Sequence, residues 1–250
     1  MRVVYGINPV TEALASEAER VERLLVSAGR SGPAVGKVME AARAARIRVE
    51  RLPTEALTRA AGTPGHQGVV ALLAGAYVYH GLDDLVAAWK ESGQAAFFLI
   101  LDSVQDPGNL GSLVRAAHAA GVHGVVIPRD RAAQVTPAVV KASAGATEHT
   151  LIARETNISR TILRLKELGV WAAALEADGP DEIYSTDISG DVALVVGSEG
   201  AGIRRLVKKS CDLVVAIPMA RGFNSLNAAQ AGAGALFEVR RQRLHGPVRK

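Results

Sequence analysis

The chain has 250 residues, 48% apolar and 22% charged with a net charge of +4, which suits one or two soluble domains with cores of their own. No apolar run approaches the roughly 18 residues of a membrane span and MRVVYGINPV lacks a signal-peptide pattern, so a cytosolic protein is expected. The single cysteine, Cys211, excludes an internal disulfide, and six histidines without ligand spacing argue against a metal site.

In chain order, NPVTEALASEA reads as a helix, ERLLVSA as a strand, GPAVGKVMEAARAA as a helix and IRVERL as a strand. A short helix, TEALTRAA, and a strand, GVVALLA, complete a small α/β sandwich over residues 1–75. Residues 76–94 break the composition and read as a linker with a short helix. From residue 95 the alternation resumes with FFLILD, LGSLVRAAHAAG, HGVVIP, PAVVKASAG, TLIA, ISRTILRLKELG and VWAAAL. The long acidic segment EADGPDEIYSTDISGD follows, and loops of that length are often functional. VALVVG, IRRLVKK, LVVAI and a last small-residue helix end the pattern. Continuous apolar strands joined by helices predict a parallel sheet covered on both faces, with ligands beyond its carboxyl edge.

Basic residues gather in two places: ten Lys/Arg against seven Asp/Glu in residues 1–60, and five Lys/Arg in the tail RRQRLHGPVRK. They are compatible with an anionic partner but equally with solvated faces.

Three strand-to-helix loops concentrate polar groups. DSVQDPGNLGSLVRAA places Asn109 where an N-cap would sit and Arg115 as the one Lys or Arg of its helix. VVGSEGAGIRRL has glycines at 197, 200 and 202, neither the dinucleotide order nor a P-loop, and carries Ser198 and Glu199. IPMARGFNSLN brings Ile217, Met219, Asn224, Ser225, Leu226 and Asn227 to the start of the last helix, more polar groups than capping requires.

Together these loops resemble the three motifs of the SpoU class of RNA ribose methyltransferases in the SPOUT superfamily. Asn109 and Arg115 match the first motif, LVVGSEGAG the second, and IPM with SLN the third. YGINPVTEAL and HQGVVAL resemble the substrate-binding domain of one subgroup, whose members methylate a guanosine 2′-hydroxyl in the peptidyl-transferase P loop of 23S rRNA. The resemblance implies S-adenosylmethionine as methyl donor, RNA as substrate, a homodimer, an N-terminal domain like ribosomal protein L30e, and a deep trefoil knot in the SPOUT domain. Gly197, Ser198, Ile217, Met219 and Leu226 are the implied donor contacts. Arg115, Asn109, Glu199, Ser225 and Asn227 are the implied catalytic set.

A guanidinium stays protonated, so Arg115 is expected to stabilise a developing alkoxide or pair with a phosphate rather than act as a base. Two departures stand out: Asn227 is followed by Ala228-Ala229 where the family commonly has Val-Ser, and Arg221 displaces a glycine. Ala228, Ala231, Gly232 and Ala235 are small enough to admit a closely packed neighbour, as a knot, a dimer interface or an ordinary core helix would require.

Overall fold

The two stretches of alternating pattern build two separate sheets. The computed structural model describes residues 1–220 and 226–246. It divides into one unit of Met1–Val78 with Val135–His149, and a second of Tyr79–Gln134 with Thr150–Lys250.

The first unit contains β1 (Arg2–Tyr5), α1 (Ile7–Ser16), β2 (Val21–Ser27), α2 (Pro33–Ala44), β3 (Arg48–Leu52), α3 (Thr54–Ala61), β4 (Val69–Leu73) and, from the later segment, α6 (Pro137–Ala142). Its sheet runs β1-β4-β2-β3, with β4 antiparallel to both neighbours and β2 parallel to β3. Successive side chains of a strand face opposite ways. Val69, Ala71 and Leu73 therefore pack in one core with Val10, Val38 and Val140, while Val70 and Leu72 meet Tyr5, Leu25 and Leu57 on the other face.

The second unit contains α4 (Leu82–Ser92), β5 (Phe97–Asp102), α5 (Pro107–Ala120), β6 (Gly124–Pro128), β7 (Ile152–Glu155), α7 (Ile158–Glu167), β8 (Trp171–Leu175), β9 (Asp181–Glu182), β10 (Val192–Gly197), α8 (Arg205–Ser210), β11 (Leu213–Ala216) and α9 (Ala228–His245). Its seven strands run β7-β6-β5-β10-β8-β11-β9, every pairing parallel. Phe98 and Ile100 of β5 pack with Leu85, Ile162 and Val207 from α4, α7 and α8, while α5 and α9 pack together on the opposite face. The parallel α/β architecture expected from the continuous apolar strands is the one observed.

Much of the basic tail is engaged in holding α9. Arg241 bonds Glu238 at 2.8 Å, keeping that carboxyl below its usual range, and Arg240 donates to the Ala120 carbonyl at 3.3 Å. Arg243 donates to the carbonyls of Ala95, Ala96, Ser189 and Gly190 and lies over the Phe97 ring. Gln242 accepts from Ile188 N at 2.9 Å, anchoring the end of the long acidic loop.

Candidate active site

β5, β10, β8 and β11 are neighbours in the sheet, and their carboxyl ends release the loops that build the site. Asp102 ends β5 fully buried and accepts from Arg204 N at 2.8 Å, Nε at 2.8 Å and Nη2 at 2.6 Å. One carboxylate thereby ties the start of the Asn109 loop to the segment following the glycine-rich turn.

That turn is tight. Ser198 N donates to Gly202 O at 3.1 Å and Gly202 N returns a bond to Ser198 O at 3.0 Å. A Cβ at Gly197 would overlap the Gly202 carbonyl and Ile203 N, and Gly202 sits at φ +63° against Glu176. Glycine is required at both positions for these reasons. Glu176, just past β8, accepts from Ile203 N at 2.8 Å and from Lys208 Nζ at 3.0 Å. That hydrogen bond raises the Lys208 ammonium above its ordinary pKa.

The structure brings three of the expected catalytic side chains together. Asn109 Nδ2 donates to Glu199 Oε1 at 2.9 Å, Asn227 Nδ2 donates to Asn109 Oδ1 at 3.0 Å, and Asn227 Nδ2 also donates to Glu199 Oε1. Asn227 Oδ1 caps α9, accepting from Ala229 N at 2.8 Å. Asn109 is not the cap of its own helix. Asp106 fills that place, accepting from Asn109 N at 2.7 Å, which leaves the Asn109 amide to reach Glu199.

Arg115 is exposed on α5, joins no hydrogen bond or ion pair among the described residues, and does not line the cavity beside this trio. Ser225 lies outside the described residues, as do Arg221 and Asn224.

The cavity has a volume of about 490 Å³, and all five expected donor contacts, Gly197, Ser198, Ile217, Met219 and Leu226, line it. Glu199 and Asn227 reach its rim, and Ala228 and Ala231 form part of its wall. Glu176 and Asp178 also line it and were not singled out from sequence, although the acidic segment that begins with Glu176 was. For Asp102 the available signal was a carboxylate ending a fully apolar strand. Cys211 does not line the cavity, and burial pushes its thiol up to about 12.

A parallel sheet with a ligand cavity and a hydrogen-bonded polar trio at its carboxyl edge defines an α/β ligand-binding enzyme. Residues 96–237 match the SpoU rRNA Methylase family, and residues 3–78 match the RNA 2′-O ribose methyltransferase substrate binding family. The chain is 42% identical to the putative TrmH family tRNA/rRNA methyltransferase YacO of Bacillus subtilis, over 96% of this chain and 95% of that one. It is 41% identical to the 23S rRNA (guanosine-2′-O-)-methyltransferase RlmB of Xanthomonas campestris, over 96% of each. Among solved structures it resembles the SpoU methyltransferase AviRb of Streptomyces viridochromogenes in complex with AdoMet, with a TM-score of 0.78, 25% identity, and coverage of 98% of this chain and 91% of that one. The chain belongs to the SpoU methylase family and is an S-adenosylmethionine-dependent RNA 2′-O-methyltransferase.

The residues present fit that donor. The cavity falls within the range of roughly 300–1,000 Å³ usual for small-molecule sites, and combines backbone amides of a glycine turn with apolar Val196, Ile217 and Leu226. Carboxylates at Glu176, Asp178 and Glu199 complement a ligand bearing positive charge.

Proposed function

We propose that this chain methylates a guanosine 2′-hydroxyl in 23S rRNA, within the peptidyl-transferase P loop. The observation that carries the reading is the Asn109–Glu199–Asn227 trio, two of whose members line the donor cavity, and the 41% identity to RlmB over 96% of the chain supports the choice of RNA. The donor supplies a methyl group on a positively charged sulfur.

Gly197, Ser198, Ile217, Met219 and Leu226 hold the donor, chiefly through backbone groups that read an adenine edge in an apolar slot. Glu199, oriented by the two asparagine amides, holds the ribose so that its 2′-oxygen faces the cavity. Aligning two reactants in this way can supply up to roughly 7–11 kcal/mol of the acceleration. Arg115 stabilises the developing alkoxide or a neighbouring phosphate, and Ser225, two positions before Asn227 in the sequence, completes the catalytic set. Since Arg115 does not line the cavity, its guanidinium meets the substrate from outside the donor site, as it would in a homodimer whose partner presents the RNA. Residues 1–75 serve as the RNA-binding domain of L30e type, joined by the linker at 76–94 to residues 95–250, the catalytic domain with its trefoil knot, from which Val135–His149 packs back into the first unit. The protein works in the cytoplasm.

The test is incubation with labelled S-adenosylmethionine and separate transcripts of 23S rRNA domains and of tRNA, followed by mapping of the modified ribose. Incorporation at a single guanosine of the peptidyl-transferase region is expected. Incorporation into tRNA alone, named beside rRNA for the putative methyltransferase YacO, would overturn the choice of RNA while leaving the chemistry intact.

A further inference from the structure

Two cations in the first unit are fastened to a single residue, and among the described residues no carboxylate forms an ion pair with either. That residue is Gln67. Its backbone is left-handed, φ +55°, and is held so by its neighbour His66, whose buried Nδ1 accepts from Gly68 N at 3.0 Å while Nε2 meets Thr58 Oγ1 at 3.2 Å. Burial, with Arg30 adding to it, lowers the His66 pKa, so the ring stays neutral and can accept at Nδ1. Gln67 is thereby turned outward. Its Oε1 accepts from Ile7 N at 3.1 Å and from Lys141 Nζ, and its backbone carbonyl accepts from Arg30 Nη1 at 3.1 Å.

The backbone is cut back beneath both cations. A Cβ at Gly6, where φ is +96°, would collide with the Lys141 ammonium, and one at Gly68, φ +87°, would lie 2.8 Å from Arg30 Cδ. Glycine serves here both for its positive φ and for the room it leaves. Burial lowers the pKa of Lys141. Both cations are held by Gln67 without an ion-pair partner among the described residues, so a bound anion would supply the missing counter-charge. The Gln67 Nε2 donor also has no partner among the described residues, so the cluster presents an amide donor alongside two cations.

We propose that Arg30, Gln67 and Lys141 form a docking site for the phosphodiester backbone of the substrate RNA. Arg30 offers its planar fork and Lys141 a point charge to phosphate oxygens, with Gln67 as the hinge that fixes their spacing. The site deepens the RNA reading above and rests on it. It also assigns a task to the segment Val135–His149: Lys141 lies outside residues 3–78, the stretch matched to substrate binding, yet belongs to the same unit.

The experiment measures anisotropy of a labelled transcript of the 23S peptidyl-transferase region from low to high KCl. The full-length protein is compared with Arg30→Gln, Lys141→Gln and the double variant. Each phosphate that is no longer neutralised lowers the slope of log K against log salt by about 0.7–0.9, so the slope of the double variant falls by about 1.4–1.8. Lys141→Arg keeps the slope, and donor binding by calorimetry is unchanged in all variants. Arg30 lies on an exposed loop, so Arg30→Gln reports even where a change at Lys141 disturbs folding. A double variant with the wild-type slope overturns the site, as does a wild type that does not bind the transcript. If the slope falls as expected but the wild type does not methylate this transcript, the docking site stands and the choice of methylated RNA fails.

Discussion

Asn227 is asked to do two things with one amide, and each end of that amide can be tested separately. Its Oδ1 caps α9 and its Nδ2 donates to Asn109 and Glu199. Asn227→Ala removes both roles and should cost about 1 kcal/mol of stability, the usual value of a cap, along with most of the activity. Asn227→Asp keeps a capping acceptor but replaces a donor with a second carboxylate facing Glu199, so thermal unfolding should stay near wild type while methyl transfer falls. Equal loss of activity and stability in both variants would mean that Asn227 is only a cap. Arg115 calls for a different readout because it is exposed and apart from the cavity. Arg115→Lys should lower turnover by roughly 10²–10³-fold, the scale of losing a preorganised oxyanion donor, without changing donor affinity by calorimetry. Near-normal turnover would remove the need for a guanidinium fork.

At the scale of elements, the small residues of α9 face a tight neighbour within their own unit. Gly232 is buried, and a Cβ there would overlap Leu113 Cδ2 of α5, whereas Gly234 would meet only Ile217 Cδ1 at an ordinary 3.5 Å. Alanine favours a helix over glycine by up to about 1 kcal/mol. Gly234→Ala should therefore be neutral or slightly stabilising, while Gly232→Ala should be net destabilising by about 1–3 kcal/mol through overpacking. Urea midpoints of the two variants check this, and a stabilised Gly232→Ala would show that α5 and α9 have slack. The same pairs show what local pattern can reveal. The apolar runs from FFLILD to LVVAI were readable because a buried parallel strand needs no polar alternation. β1 carries no strand signal of its own: RVVY is four residues long and becomes a strand only by pairing with β4, nearly seventy residues on. The trio at the site was visible as three polar loops, but the cap at Asp106 was not, since Asp-Pro-Gly-Asn offers two capping residues and only the hydrogen bond to Glu199 decides between them.

At the scale of the whole chain, the first unit cannot finish its core until residue 149 has been made, because Val140 packs with Val4 and Val10. No local signal in PAVVKASAG announces this, since its amphipathic pattern would suit either sheet equally. An ion pair fastens the segment as well. Glu148, whose side chain is fully buried, accepts from Arg2, itself packed over the Tyr77 ring and bonded to Glu17 at 3.3 Å. Burial raises the Glu148 pKa, and Arg2 and Thr147 partly offset that rise. Arg2→Met should leave an unpaired buried carboxylate and cost about 3–5 kcal/mol near neutral pH. The pH dependence follows from the direction of the shift. A carboxyl raised by folding binds its proton more tightly in the native state, so its contribution to stability is fully present below the ordinary carboxylate pKa and is lost as pH rises through the raised value. With Arg2 gone the rise is larger, and the deficit of Arg2→Met relative to wild type should shrink steadily on acidification. Adding Glu148→Gln to Arg2→Met should recover part of the loss at neutral pH and flatten the pH dependence. Urea midpoints of the three proteins across mildly acidic to neutral pH measure both effects. A deficit that does not change with pH would place the cost in lost packing against Tyr77, and not in the buried charge that ties residues 135–149 to the first strand.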